Sequence, residues 1–120
     1  KNFPSRKQRS DLDVPLPDGT TDEPYLDALR PALETALDRA RPDLILYQGG
    51  VDPLAEDKLG RLSLTHEGLY ARDVHVFERA RTLGLPVALT LGGGYANPIE
   101  PTVEANVGTY RAAKSILEDA

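Results

Sequence analysis

Two short apolar runs, DLILYQG at 43–49 and PVALTL at 86–91, constrain this chain more than anything else in it. Each stops at glycines, Gly49–Gly50 and Gly92–Gly94, and one helical stretch separates them. Nearly continuous apolar runs of this length suit strands covered on both faces, as in parallel sheets. Two such strands joined through a helix make a parallel pair with a right-handed crossover. The order helix, strand, helix, strand, helix is therefore expected, an α/β pattern.

The helices are legible from their ends. Thr21 is the expected cap of the first, with Asp22 and Glu23 in its first turn, where negative charge suits the helix dipole. Leu26, Leu29, Leu33, Ala36, Leu37 and Ala40 recur on one face of it. Pro31 crowds the carbonyl of Asp27 and predicts a kink or break there; the helix should end by Arg41, before Pro42. Thr65 caps the second helix and Gly84 ends it, with Leu69, Val74, Val76, Phe77 and Ala80 as core candidates. The third covers 98–118, with Pro98 or Pro101 in its first turn. Its expected inner stripe is Val103, Val107, Tyr110, Ala113, Ile116 and Leu117. Before all this, residues 1–21 read as loop, with a short extended piece at 12–16 and a turn at PDGT, 17–20.

Two strands apolar on both faces leave two bare edges, which invite aggregation, and two-stranded sheets are marginal alone. The chain also contains no methionine. Both features predict that these 120 residues are a portion of a larger sheet domain.

Composition narrows the function. A formal charge of −5 argues against nucleic acid as main partner, and the basic cluster Lys1, Arg6, Lys7 and Arg9 reads as a solvated arm. No apolar run reaches the roughly 20 residues that span a bilayer, and no leader pattern is seen, so no membrane partner is expected. Without cysteine there is no disulfide and no thiolate metal site, which fits a cytoplasmic protein.

Ligands of open parallel α/β sheets bind outside the carboxyl ends of the strands. There the first strand offers Asp52, in GGVD, and the second offers Tyr95, in LGGGYANP. A carboxylate can hold a divalent metal, and a phenol can donate to an oxyanion, so the pair suits metal-assisted amide hydrolysis. On residue chemistry alone, however, an aspartate after a strand is more often a turn or cap residue, and such a tyrosine is more often packing. The run Gly92-x-Gly94-x-x-Asn97 lacks the last small residue of a dinucleotide loop. His66 and His75 are separated by roughly 900° of helical rotation, hence on opposite faces, and cannot share a metal. Since a catalytic zinc takes three protein ligands, any zinc on Asp52 needs ligands from elsewhere.

QGGVDPLAEDKLGRLSLT (48–65), LGGGYANP (91–98) and LDVPLPDGTTDEPYLDAL (12–29) together resemble the C-terminal half of the histone deacetylase superfamily, closest to its class IV and bacterial deacetylase-like branch. The resemblance implies part of a three-layer arginase/deacetylase-like fold built on a parallel sheet, with residues 1–120 as the C-terminal portion of one catalytic domain. It implies zinc-dependent hydrolysis of an N-acyl, acetyl-lysine-like amide. Asp52 matches a zinc ligand, Tyr95 the catalytic tyrosine, and Gly93 and Gly94 the substrate tunnel. The other two zinc ligands and the paired histidines belong to the N-terminal half of such a domain, which is thereby an expected partner, and this portion alone is expected to be inactive. Asp57 is expected to hold its loop through backbone hydrogen bonds. Two alternatives stand beside this reading. One is a non-catalytic half-domain that completes a partner's sheet. The other is a same-fold amidohydrolase acting on acetylpolyamine or longer acyl groups.

Overall fold

The computed structural model describes residues 4–118. The elements are α1 (Asp22–Ala40), β1 (Ile45–Gln48), α2 (His66–Leu83), β2 (Val87–Thr90) and α3 (Glu100–Ala113), with a wider π-helical turn at Lys114–Glu118. β1 and β2 pair in parallel, Ile45 opposite Val87 and Gln48 opposite Thr90. The α/β order is the expected one. Of the basic cluster, Arg6, Lys7 and Arg9 are exposed, and Lys1 lies outside the described residues.

Alternation along the strands decides what they cover. Ile45, Tyr47, Val87 and Leu89 are half-buried, while Leu46, Gln48, Ala88 and Thr90 point to the exposed face. Coverage on both faces was expected; among the described residues only one face has a helical layer, and Leu46 is 77% exposed. The Tyr47 ring meets Phe77 of α2 edge-on, with centroids 5.6 Å apart. Thr109 of α3 reaches the same place through Asp73.

The helix boundaries follow the capping chemistry. Thr65 accepts a hydrogen bond from the Gly68 N–H, and Gly84 closes α2 in the left-handed region. Thr21 stands at the α1 cap position, but its side chain makes no capping bond. The Asp22 carboxylate accepts instead from the Thr65 N–H at 2.8 Å and from its hydroxyl, tying the start of α1 to the start of α2. Pro31 does not break α1, which runs on to Ala40 with Arg41 as a left-handed cap. Proline removes one N–H bond to Asp27, and the rest of a long helix is kept by packing. In α3 it is Pro101, not Pro98, that occupies the first turn.

One expected face is wrong. α3 buries Thr102, Ala105, Thr109 and Ala112, while Val103, Val107 and Tyr110 are between 41% and 53% exposed. Small residues let α3 sit close to α2, and Thr109 supplies a hydrogen bond there. The core proper is Val51, Leu54, Leu64, Leu69 and Ala105, so the segment after β1 is itself part of the core. In α2 the residues Leu69, Val76, Phe77 and Ala80 are buried as expected, Val74 is only half-buried, and Arg72 and Asp73 are buried beside them. Residues 12–16 lie within the expected loop, outside any strand, and the turn at 17–20 is present, with the Thr20 N–H on the Pro17 carbonyl at 3.3 Å.

Candidate functional site

The strands end, but the backbone pairing continues past them. The Gly49 N–H donates to Thr90 O at 3.1 Å, and the Val51 N–H donates to Gly92 O at 3.0 Å. Val51 is 1% exposed and anchors in the core. Asp52 follows in a turn closed by the Leu54 N–H on the Val51 carbonyl at 3.2 Å, and it is exposed. Its carboxylate lies against glycine: a Cβ on Gly93 would stand 2.7 Å from Asp52 Oδ1, and one on Gly50 would stand 2.9 Å from it. Gly93 has a φ of 66°, which an L side chain rarely adopts, so both the conformation and the space require glycine.

Asp57 joins the two loops. Its Oδ1 accepts from the N–H of Leu59 at 2.9 Å and of Gly60 at 2.8 Å, and its Oδ2 accepts from the Tyr95 N–H at 2.8 Å. The Lys58 N–H donates to the Tyr95 carbonyl at 3.2 Å. This is the loop-holding role expected of Asp57, extended across to the second loop. Tyr95 is fixed by its backbone, while its side chain stays 57% exposed at the mouth.

Asp52, Gly93 and Tyr95 thus border one cavity of about 640 Å³, together with Gln48, Arg72 and Tyr25. Gly94 stands behind this wall, where a Cβ would meet Thr102 Cγ2 at 2.6 Å. His66 and His75 both lie on α2 and neither borders the cavity. His66 Nε2 is 3.0 Å from the Pro101 carbonyl oxygen, and His75 Nε2 is buried without a hydrogen-bond partner among the described residues.

A buried polar cluster lies beneath this site. Asp73, 0% exposed, accepts from the Tyr47 hydroxyl at 2.5 Å, from Arg72 Nε at 2.9 Å and from the Thr109 hydroxyl at 2.6 Å. Arg72 Nη1 donates to Gly50 O at 2.7 Å, and its guanidinium lies 5.8 Å from the Tyr47 ring centre. Burial pulls the guanidinium down, yet Tyr47 and Asp73 hold it above its ordinary range, so it stays charged. Sequence reasoning missed this cluster. The signal was there: Arg72 and Asp73 fall in phase with Leu69 and Val76, where an exposed charge has no place.

Zinc is the group the resemblance implies, and the fit can be judged from Asp52. No donor or cation among the described residues bonds its carboxylate, and glycines leave it open to the cavity. That suits one position of a metal site. Among the described residues no three His, Cys, Asp or Glu side chains gather to hold an ion.

Strand, crossover helix and strand, with polar groups raised at the carboxyl rim, define an α/β domain of the parallel-sheet type. The histone deacetylase domain matches residues 2–109, and this chain belongs to that family. An uncharacterised protein of Picosynechococcus is 45% identical over 115 residues, which is 96% of this chain and 38% of that protein. The acetylpolyamine aminohydrolase of Burkholderia pseudomallei superposes with a TM-score of 0.69 at 21% identity, over 88% of this chain and 29% of its own. A histone deacetylase homologue complexed with SAHA superposes with a TM-score of 0.65 at 30% identity, over 86% of this chain and 26% of its own. The fold is accordingly that of the arginase/deacetylase type, and the chain spans well under half the length of these relatives.

Proposed function

We propose that this chain forms the C-terminal portion of a zinc-dependent deacylase domain, which hydrolyses an N-acyl amide of the acetyl-lysine kind. Asp52 is one zinc ligand, and an aspartate and a histidine from the rest of the domain are the others. When bound, zinc supplies Lewis-acid polarisation of the scissile carbonyl and of the attacking water. The Tyr95 hydroxyl donates a hydrogen bond to the carbonyl oxygen as it gains negative charge. Gly93, whose missing side chain leaves room for the Asp52 carboxylate, borders the cavity where the extended acyl-lysine stem would lie, and Gly94 backs that wall. A histidine from the rest of the domain takes the proton from water.

The observation that carries this reading is the shared cavity of Asp52 and Tyr95, with a carboxylate seated on Gly93 that has no partner among the described residues. The test is zinc content and turnover in the full-length protein. Tyr95→Phe should keep zinc and lose roughly 10²–10³ in rate. Asp52→Ala should lose zinc. Unaltered turnover in Tyr95→Phe removes Tyr95 from the mechanism. The 120-residue chain alone should be inactive and metal-poor.

The open sheet face favours a second reading, a non-catalytic half-domain that completes a partner's sheet. Gel filtration of the isolated chain distinguishes the two. A stable, monodisperse chain supports an independent module, and an aggregating one supports the enzyme portion. The likeness to the Burkholderia enzyme keeps acetylpolyamine among the substrates to be assayed.

A further inference from the structure

We infer that Arg72 is the positioning residue for Asp52, setting the carboxylate's reach into the cavity through the Gly50–Val51 peptide; this rests on the assignment of Asp52 as a metal ligand. The peptide joining Gly50 to Val51 is gripped at both ends. Its carbonyl accepts from Arg72 Nη1 at 2.7 Å, and its N–H donates to Gly92 O at 3.0 Å. The next side chain, Val51, is locked in the core at 1% exposure. With that plane and that side chain fixed, the direction in which Asp52 leaves the backbone is fixed as well.

The choice of arginine is informative. Its side chain is 6% exposed, and a buried ion pair is weak evidence of stability, because apolar residues of similar volume commonly do as well. A charged donor to a backbone carbonyl does something an apolar residue cannot, since it aims that carbonyl. A planar fork is also needed, because Nε is committed to Asp73 while Nη1 reaches Gly50. Asp73 is in turn held by Tyr47 of β1 and Thr109 of α3, so the orientation of Arg72 is referred to the sheet and to both helices.

The test is zinc affinity, read by competition with a chelator, in the full-length protein and in Arg72→Lys, Asp52→Ala and the double variant. Lysine keeps the charge but has a single nitrogen in place of the two, Nε and Nη1, that arginine aims at Asp73 and Gly50. Arg72→Lys should weaken zinc by about tenfold to a hundredfold, as loss of groups that orient metal ligands does. In the Asp52→Ala background, where only the weak residual affinity of the other ligands is read at raised zinc concentration, it should have no further effect, because it acts through Asp52. Arg72→Gln combined with Asp73→Asn removes both charges together and carries the same expectation should the lysine variant not fold. Equal weakening in both backgrounds, or wild-type affinity in the Arg72 variants while Asp52→Ala loses zinc, overturns the inference. Wild-type affinity in Asp52→Ala overturns the ligand assignment and this inference with it.

Discussion

Asp57 accepts hydrogen bonds from the backbone N–H of Leu59, Gly60 and Tyr95, and it is 9% exposed. Removing the carboxylate strands donors that water reaches poorly, at a cost of about 1–3 kcal/mol for each one left unpaired. Asp57→Ala in the full-length protein should therefore lower the melting temperature by several degrees and also reduce turnover, since the backbone of Tyr95 loses its anchor. A calorimetric scan and a rate measurement check both. Tyr47 bears on pH. Burial raises its phenol far above the usual 10.0, opposed by Arg72 and helped by Asp73. A phenol harder to ionise when folded contributes stability that is whole below its unfolded value, about pH 10, and is lost as pH rises beyond it. Denaturant melts across that range should show the alkaline loss, and Tyr47→Phe should flatten it.

Helix α2 begins under a constraint that its own sequence does not announce. A Cβ on Gly68 would overlap the Asp22 carboxylate, which lies across the start of α2 to reach Thr65. Gly68→Ala, normally favourable inside a helix, should here destabilise the full-length protein by roughly 1–3 kcal/mol. Asp22→Ala combined with it should cost less than the sum, because the collision is gone; melting curves of the single and double variants decide. The bounds of α1 and α2 were legible because Thr65, Gly84 and the Pro42 boundary speak through local chemistry. The inner face of α3 was not. Val103, Val107 and Tyr110 form as regular a stripe as Thr102, Ala105, Thr109 and Ala112, and periodicity shows that a face is apolar without showing what lies against it. Local chemistry makes Asp22 a dipole partner of its own helix, and its bond to Thr65, 43 residues away, is a tertiary fact that no local pattern carries.

At the scale of the molecule, the sheet has one helical layer and one open face among the described residues, with Leu46 at 77% and Leu91 at 58% exposure. Such a surface invites self-association. If the rest of the domain covers it, Leu46→Lys should make the isolated chain less prone to aggregate, yet lower the melting temperature of the full-length protein by burying an unpaired charge. Light scattering of the one and calorimetry of the other check this. The carboxyl-end rim was legible because strands that stop at glycines and then present Asp52 and Tyr95 reveal it. Arg72 was not, since a charge in the middle of a helix gives no hint of the Gly50 carbonyl 22 residues before it. The loops after β1 and β2 are stitched together at Val51–Gly92, Asp57–Tyr95 and Lys58–Tyr95. They should consequently breathe as a single rigid lip: amide protons along both should exchange with deuterium at one common rate, and pulling on either wall would tug the other with it.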